Sequence, residues 1–280
     1  MLKYDLHCHS TASDGTLSPS LLVEHACRQG VDVLALTDHD VTCGVAEAQA
    51  AATGTDVRVV AGVEVSATWN HQLLHIVGLG VNPAAPALIN GLEGQRVFRV
   101  WRGEEIGRRL EKRGIAGAYA GAAALAGGPA VSRTHFARYL VAQGHARDMA
   151  KAFDSYLKRG KPGYVPGQWA GLEDAVAWIR AAGGQAVVAH PARYTLSATR
   201  LRQLLSEFKA LGGAAVEVIS GSQPHGATPA LIAYARQFDL RASVGSDYHG
   251  PGQGPNELGR MPVLPAGCVP VWEDWAAPAR

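Results

Sequence analysis

The residues with the greatest chemical potential open the chain. Asp5-Leu6-His7-Cys8-His9 closes the first strand-like run, and Asp14 follows a short polar turn. In a strand, alternate side chains share a face, so His7 and His9 point the same way and can converge on one ion. Similar residues close later runs: Thr37-Asp38-His39-Asp40, Glu64, Ala189-His190-Pro191 and Ser246-Asp247-Tyr248-His249, with His75 in a fourth run. One histidine at a strand end is usually a hydrogen-bonded structural residue, and His-x-His alone is a weak signal. The same chemistry at five further places is a strong one. Imidazoles and carboxylates crowded together and partly desolvated need a compensating cation. Mixed nitrogen and oxygen donors without thiolate fit Mn²⁺, Zn²⁺ or Fe²⁺ and disfavour Ca²⁺ or Mg²⁺ alone. The expected feature is a divalent-metal centre, with His7, His9, Asp14, His39, Glu64, His75, His190, Asp247 and His249 as ligand candidates.

Their neighbours receive humbler roles. Strand parity puts Asp5 on the face of His7 and His9, where it would orient an imidazole. Asp38 and Asp40 flank His39 and would orient a ligand or cap a helix. Cys8 lies between two candidates, so the pleat turns it away into packing. His25, His71, His145 and His225 fall on helices or loops and read as surface residues.

Seven strands are expected to carry these groups: Leu2–His7, Val31–Leu36, Val57–Val63, Leu73–Leu79, Gln185–Ala189, Ala214–Ile219 and Arg241–Gly245. Most are nearly continuous apolar runs, as in parallel strands covered on both faces. Helices are expected at Ser18–Gln29, Gly171–Ala182, Ala198–Leu211 and Thr228–Phe238, the first with Ser18-Pro19 at its start and Gly30 beyond its end. Strands alternating with helices predict a seven-fold β/α barrel, α/β in class, whose strand C-termini form one rim where active sites sit. Between about Pro83 and Pro166 the rhythm breaks. A long helix at Ala84–Arg113, an Ala/Gly-rich stretch at Gly114–Gly128 and helices near Ser132–Gln143 and Ala146–Lys158 read as a small helical cap beside the barrel mouth. Residues 1–83 and 167–280 would form the barrel, and 84–166 the insertion.

The bulk properties bound the partners. The chain has 280 residues, is 47% hydrophobic and carries a net charge of +2, so no global field advertises DNA or a membrane. No apolar stretch approaches the roughly 18–20 residues of a membrane helix, and the start lacks a signal-peptide pattern. Cys8, Cys27, Cys43 and Cys268 show no regular spacing, which suggests free thiols, a reducing cytoplasm and no evident protein partner.

These motifs, in this order along the whole chain, resemble the PHP (polymerase and histidinol phosphatase) family. That resemblance implies a distorted (β/α)7 barrel and a trinuclear, manganese-type centre, although two ions, or Zn²⁺ or Fe²⁺, also suit the donors. By position, His7, His9, Glu64 and Asp247 would hold one ion, and Asp14, His39 and His249 a second. A bridging Glu64 with His75 and His190 would hold the third. Val63-Glu64-Val65-Ser66, His75–Gly80, Ser132–Arg138 and Gly160–Val165 are similar to a branch of bacterial 3′,5′-nucleoside bisphosphate phosphatases, itself similar to an exoribonuclease branch.

On that reading, water activated by the ions attacks phosphorus in line. Asp247 serves the reaction beside the ions, Arg193 grips the phosphate in bidentate fashion, and His249 or an ion-activated water protonates the leaving alkoxide. Arg96, Arg99 and Arg102 form one stripe of the long helix. A second anion pocket would draw on Arg99, Arg102, Arg133, Thr134, His135, Lys161 and Tyr164, with Arg138, Lys158 and Arg159 adding charge. Tyr164, Trp169 and Tyr248 are candidates for stacking on a base. The substrate expected is a small nucleotide with two phosphates. The alternatives are 5′→3′ hydrolysis of short RNA, another small phosphomonoester such as histidinol phosphate, and a non-catalytic metal-binding barrel.

Overall fold

The computed structural model describes residues 2–221, 223–224, 226–253 and 256–275, so His225 lies outside the described residues. In chain order the elements are β1 (Tyr4–Cys8), α1 (Pro19–Gln29), β2 (Val33–Leu36), α2 (Val45–Ala52), β3 (Arg58–Trp69) and β4 (Gln72–Leu79). There follow α3 (Pro86–Glu111), α4 (Ala118–Ala123), α5 (Arg133–Ala142) and α6 (Met149–Ala152), the last running on into a π-helical turn, Phe153–Leu157. Then come the two-residue β5 (Ala170–Gly171), α7 (Leu172–Ala181), β6 (Gln185–Val188), a 3-10 turn at Pro191–Arg193, α8 (Ala198–Ala210), β7 (Ala215–Ser220), α9 (Thr228–Gln237) and β8 (Arg241–Gly245). Every expected strand forms.

Contacts divide the chain into two compact units, Met1–Leu92 with Trp169–Arg280, and Glu93–Gln168. The first is a nearly closed barrel with strand order β1-β2-β3-β4-β6-β7-β8 and β5 beside β3. The ends of the order meet through the segment after β8: the Asp247 N–H donates to the His7 carbonyl at 2.8 Å and the His9 N–H to the Tyr248 carbonyl at 2.8 Å. Asp5 reinforces this seam, its carboxylate accepting the N–H groups of Ser246 at 2.8 Å and Gly259 at 3.0 Å.

The strands alternate as barrel strands must. Leu6, Val33, Ala35, Val77, Leu79, Val187, Ala189 and Ala215 fill the interior. Leu34 and Leu36 pack outward with residues of α1 and α2, and Val65, Ile76, Val188 and Val216 with residues of α7, α8 and α9. Val271 enters the interior core from the C-terminal segment, with Trp272 stacked on Tyr4 at 4.0 Å.

Two expectations about the strands need correction. β4 is antiparallel to both β3 and β6. No helix intervenes after β3, and Asn70-His71, both at positive φ, close a two-residue hairpin. This turns β4 over, so His75 reaches the rim from the first half of its strand rather than from its C-terminal end. In β1 the register shifts between Asp5 and Cys8, which interrupts the parity that would align Asp5 with His7 and His9. Asp5 therefore clasps backbone at the seam and orients no imidazole.

Local signals explain the helices. Ser18 accepts the Leu21 N–H, Pro19 occupies the first turn of α1, and Gly30 ends it at φ 67°. The second unit has its own core, built on Ile106, Leu110, Phe136, Leu140, Leu157 and Val165.

Candidate metal centre

The rim gathers all nine ligand candidates around one carboxylate. Glu64, in the middle of β3 and fully buried, lies within 3.3 Å of five imidazoles. Its Oε1 is 3.2 Å from His7 Nε2, 2.8 Å from His75 Nδ1 and 3.1 Å from His190 Nε2. Its Oε2 is 2.7 Å from His39 Nδ1 and 3.3 Å from His9 Nε2. Asp247 Oδ1 lies 3.2 Å from His9 Nε2 and 3.6 Å from His7 Nε2. Asp14 Oδ1 lies 3.3 Å from His249 Nε2 and 3.8 Å from His39 Nε2.

Three donor sets fall within reach of single ions: His9, Asp14, His39 and His249; His7, His9 and Glu64; and His39, Glu64 and His75. The Nε2 atoms of His7 and His9 and the Oε2 of Glu64 are buried and, despite these close neighbours, make no well-aligned hydrogen bond among the described residues. Buried polar atoms left this way are rare, and here they point at one another. The clusters are suited to metal ions.

Burial, then the neighbouring His249 and His39, pushes His9 down to about 3, and burial lowers His75 to about 4. Against burial, the carboxylates of Asp14 and Asp247 lift His249 to about 9, while Glu64, Glu217 and Asp247 raise His7 well above its usual value. The surrounding imidazoles hold Glu64, Asp14 and Asp247 well below the usual carboxylate range despite their burial.

The supports are specific. Asp38 accepts the Ser10 N–H at 2.8 Å, the Ser10 hydroxyl at 2.7 Å and the Ser13 hydroxyl at 2.5 Å, fixing the loop between His9 and Asp14. Asp40 accepts the Ser66 N–H at 2.7 Å, so neither aspartate caps a helix. The Tyr194 hydroxyl lies 2.8 Å from the His75 N–H and accepts it. Asp40, His190 and Asp247 all adopt positive φ, at 54°, 30° and 54°, uncommon backbone concentrated at the site. Cys8 is buried with its thiol on the Ala35 carbonyl, as packing requires, and all four cysteines are free.

Arg193, on the 3-10 turn after His190, is exposed and pairs through Nη1 with Asp247 Oδ2. Tyr248 is buried in the core with its ring stacked on His25, so it is not placed to stack on a base. His25 is half-buried, 2.7 Å from Glu257, rather than a surface residue, whereas His71 and His145 are exposed.

In the second unit, Arg102 is buried and donates to the Val165 carbonyl from Nε at 3.1 Å and Nη2 at 3.0 Å. Burial, then the like charges of Arg133 and Arg99, draws Arg102 down to about 9. Thr134 and His135 serve the start of α5: Ser132 accepts their N–H groups, and His135 Nδ1 accepts the Ser132 N–H at 3.0 Å. Tyr164 gives its carbonyl to Arg109 at 2.5 Å, and Lys161 is exposed.

Glu217 went unnoticed in the sequence. It is buried in β7, its Oε1 2.7 Å from His7 Nδ1 and its Oε2 accepting the His190 N–H at 2.6 Å. The available signal was a lone carboxylate inside the apolar run Ala215–Ile219, since charges are almost never fully buried unless paired.

Residues 5–164 match the PHP domain. The chain is 46% identical over 278 residues to a 3′,5′-nucleoside bisphosphate phosphatase of Chromobacterium violaceum, covering 99% of this chain and 98% of that protein. It is also 46% identical over 277 residues to a 5′-3′ exoribonuclease of Escherichia coli, covering 98% and 94%. Among solved structures it is similar to a Chromobacterium violaceum protein described as an amidohydrolase with bound sulfate and no metal, at TM-score 0.92 and 47% identity over 96% of this chain and 94% of that one. No helix among the described residues is long and apolar enough to cross a membrane. Matched along more than half its length by the family and along nearly all of it by these relatives, the chain belongs to the PHP-domain family.

Proposed function

We propose that this protein hydrolyses the 3′-phosphate of nucleoside 3′,5′-bisphosphates, adenosine 3′,5′-bisphosphate among them, to the nucleoside 5′-monophosphate and phosphate. By its family and its full-length kinship the chain is a hydrolase of phosphoric esters. The observation that carries the finer reading is the partition of charge. Residues 93–168 hold 14 Lys and Arg against 6 Asp and Glu, a formal charge of +8, which leaves −6 on the remainder of a chain whose net charge is +2. A phosphomonoester with one anionic group needs no such concentration; a substrate with a second phosphate does. In this reading Arg102, whose affinity for its proton is lowered by burial and by the charges of Arg133 and Arg99, recognises the 5′-phosphate together with those two arginines, with Thr134, Lys161 and Tyr164 beside them. His135 supports them as the cap of α5.

Two or three divalent ions, Mn²⁺ first and Zn²⁺ or Fe²⁺ next, suit the rim donors. His7, His9, Glu64 and Asp247 would hold one; Asp14, His39 and His249 a second; Glu64, His75 and His190 a third. When bound, such ions lower the pKa of water, orient phosphate oxygens and offset charge in the transition state. The chain's own groups supply the rest. Arg193 presents a guanidinium fork to the phosphate and is aligned by Asp247. His249 keeps its Nδ1 on the Asp247 carbonyl at 2.8 Å, so Nε2 is the atom that serves either as ligand or as proton donor to the leaving alkoxide, not both at once.

A second reading, 5′→3′ hydrolysis of 5′-phosphorylated RNA, draws on relatives of equal identity that are described as exoribonucleases. Phosphate release from adenosine 3′,5′-bisphosphate with Mn²⁺, beside a short 5′-phosphorylated RNA and histidinol phosphate, separates the readings. Fast release with AMP as product is expected. Turnover of RNA alone would move the assignment to an exonuclease, and turnover of histidinol phosphate alone would remove the nucleotide.

A further inference from the structure

We propose that Glu217 is a positioning residue that fixes which nitrogen of His7 faces the metal centre, and so sets the affinity of the centre for its ions. The proposal rests on the metal-binding reading above and deepens it.

Glu217 lies on the inward face of β7, 1% exposed, next to the interior residue Ala215 and between the outward-packing Val216 and Val218. A carboxylate there must have partners, and it has two of different kinds. One oxygen meets an imidazole nitrogen, His7 Nδ1, at 2.7 Å; the other accepts a backbone donor, the His190 N–H, at 2.6 Å. The backbone donor cannot change its nature. A carboxylate only accepts, so His7 keeps a proton on Nδ1, and its neutral, ligating form presents the Nε2 lone pair toward Glu64 and Asp247. That Nε2 is buried with no hydrogen-bond partner among the described residues, as a nitrogen meant for an ion would be. The same carboxylate pins the backbone at His190, whose φ of 30° lies in the left-handed region and launches the turn carrying Arg193. One side chain on β7 thus sets a donor on β1 and His190, two residues beyond β6.

The isosteric amide makes the argument testable. In Glu217→Gln the His190 N–H still requires an acceptor and takes the amide oxygen. The amide NH2 then faces His7 Nδ1, which must become an acceptor, and the imidazole proton moves to Nε2, where it blocks the ion. Shape is kept while the donor is inverted. Glu217→Asp shortens the reach but still only accepts, so it preserves the nitrogen that faces the ion.

The experiment is a titration of the full chain with Mn²⁺ alone, following free Mn²⁺ by its electron paramagnetic resonance, for wild type, Glu217→Gln and Glu217→Asp. Melting temperatures of the ion-free proteins serve as the folding control. Glu217→Gln is expected to melt near wild type and to lose affinity for the tightest ion by about tenfold to a hundredfold, the usual effect of removing a partner that orients a ligand. Glu217→Asp should lie between the two. Wild-type affinity in Glu217→Gln, or a greater loss in Glu217→Asp than in Glu217→Gln, overturns the proposal. Should Glu217→Gln not fold, retention of Mn²⁺ by Glu217→Asp within about tenfold of wild type supports the acceptor role, and its loss refutes it. If wild type itself binds no Mn²⁺, the metal reading fails instead.

Discussion

The imidazoles around Glu64 do not share one protonation state, and this bears directly on how the rim would take up ions. His9 and His75, at about 3 and about 4, are neutral near pH 7 and ready to ligate. His249, lifted to about 9 by Asp14 and Asp247 against its burial, is protonated there, and the three carboxylates around His7 raise that imidazole in the same direction. A ligating nitrogen must be free of its proton, so filling the rim expels the proton of His249. His249 is raised above the usual imidazole value near 6.5, so its competition is strongest below pH 7 and fades as pH rises through about 9. Mn²⁺ affinity should therefore rise from pH 7 to 9, by about tenfold per unit for each proton expelled. Calorimetric titration in two buffers of different ionisation enthalpy checks this directly, and heats independent of the buffer would refute it. The sequence exposed the rim at this scale because histidines and acids at strand ends stand out from apolar runs. It concealed Glu217, whose importance lies in two partners remote in sequence, and it misplaced Asp5, because a register shift within β1 leaves no mark on residue types.

Elements were legible where local chemistry decides them. Ser18, Pro19 and Gly30 delimit α1 by side-chain and backbone preferences that need no tertiary contact. β4 was harder. Its two-residue turn is Asn70-His71 instead of the Asn-Gly that advertises a hairpin, and its apolar run looks like that of any buried strand. The C-terminal segment was harder still, since Val271 reaches the barrel interior from irregular chain with no period to read. Packing between elements also explains a glycine at the end of β8. A Cβ added to Gly245 would lie 2.3 Å from the Cβ of His7 and 2.9 Å from its backbone nitrogen. Contacts that close force β1 away from β8 at the seam that carries two ligand candidates. Gly245→Ala should lower stability by about 1–3 kcal/mol and weaken Mn²⁺ binding together, read as melting temperature and a metal titration. A variant matching wild type in both would show that β1 yields at no cost.

For the molecule as a whole, the decisive feature is that near-neutrality conceals opposed charges: +8 on residues 93–168 and −6 on the rest. The sequence displayed the basic insertion readily, because its cations are contiguous in the chain. It could not show that Arg102 is buried or that Arg99 and Arg133 bear on its protonation, since the three converge only through packing. Three guanidiniums held together repel one another, and a bound anion relieves that repulsion. If they recognise the second phosphate, removing one should weaken binding of the bisphosphate without slowing the chemistry at the rim. Arg99→Ala and Arg133→Ala are the cleaner probes, because truncating Arg102 also removes its bonds to the Val165 carbonyl. Each should raise KM for adenosine 3′,5′-bisphosphate about tenfold or more, the equivalent of about 1.4 kcal/mol, with the loss shrinking as salt rises. Turnover of p-nitrophenyl phosphate, which has no second phosphate to recognise, should stay at the wild-type level in both variants. A parallel fall on both substrates would mean that these arginines support the fold and leave recognition of the second phosphate to other groups.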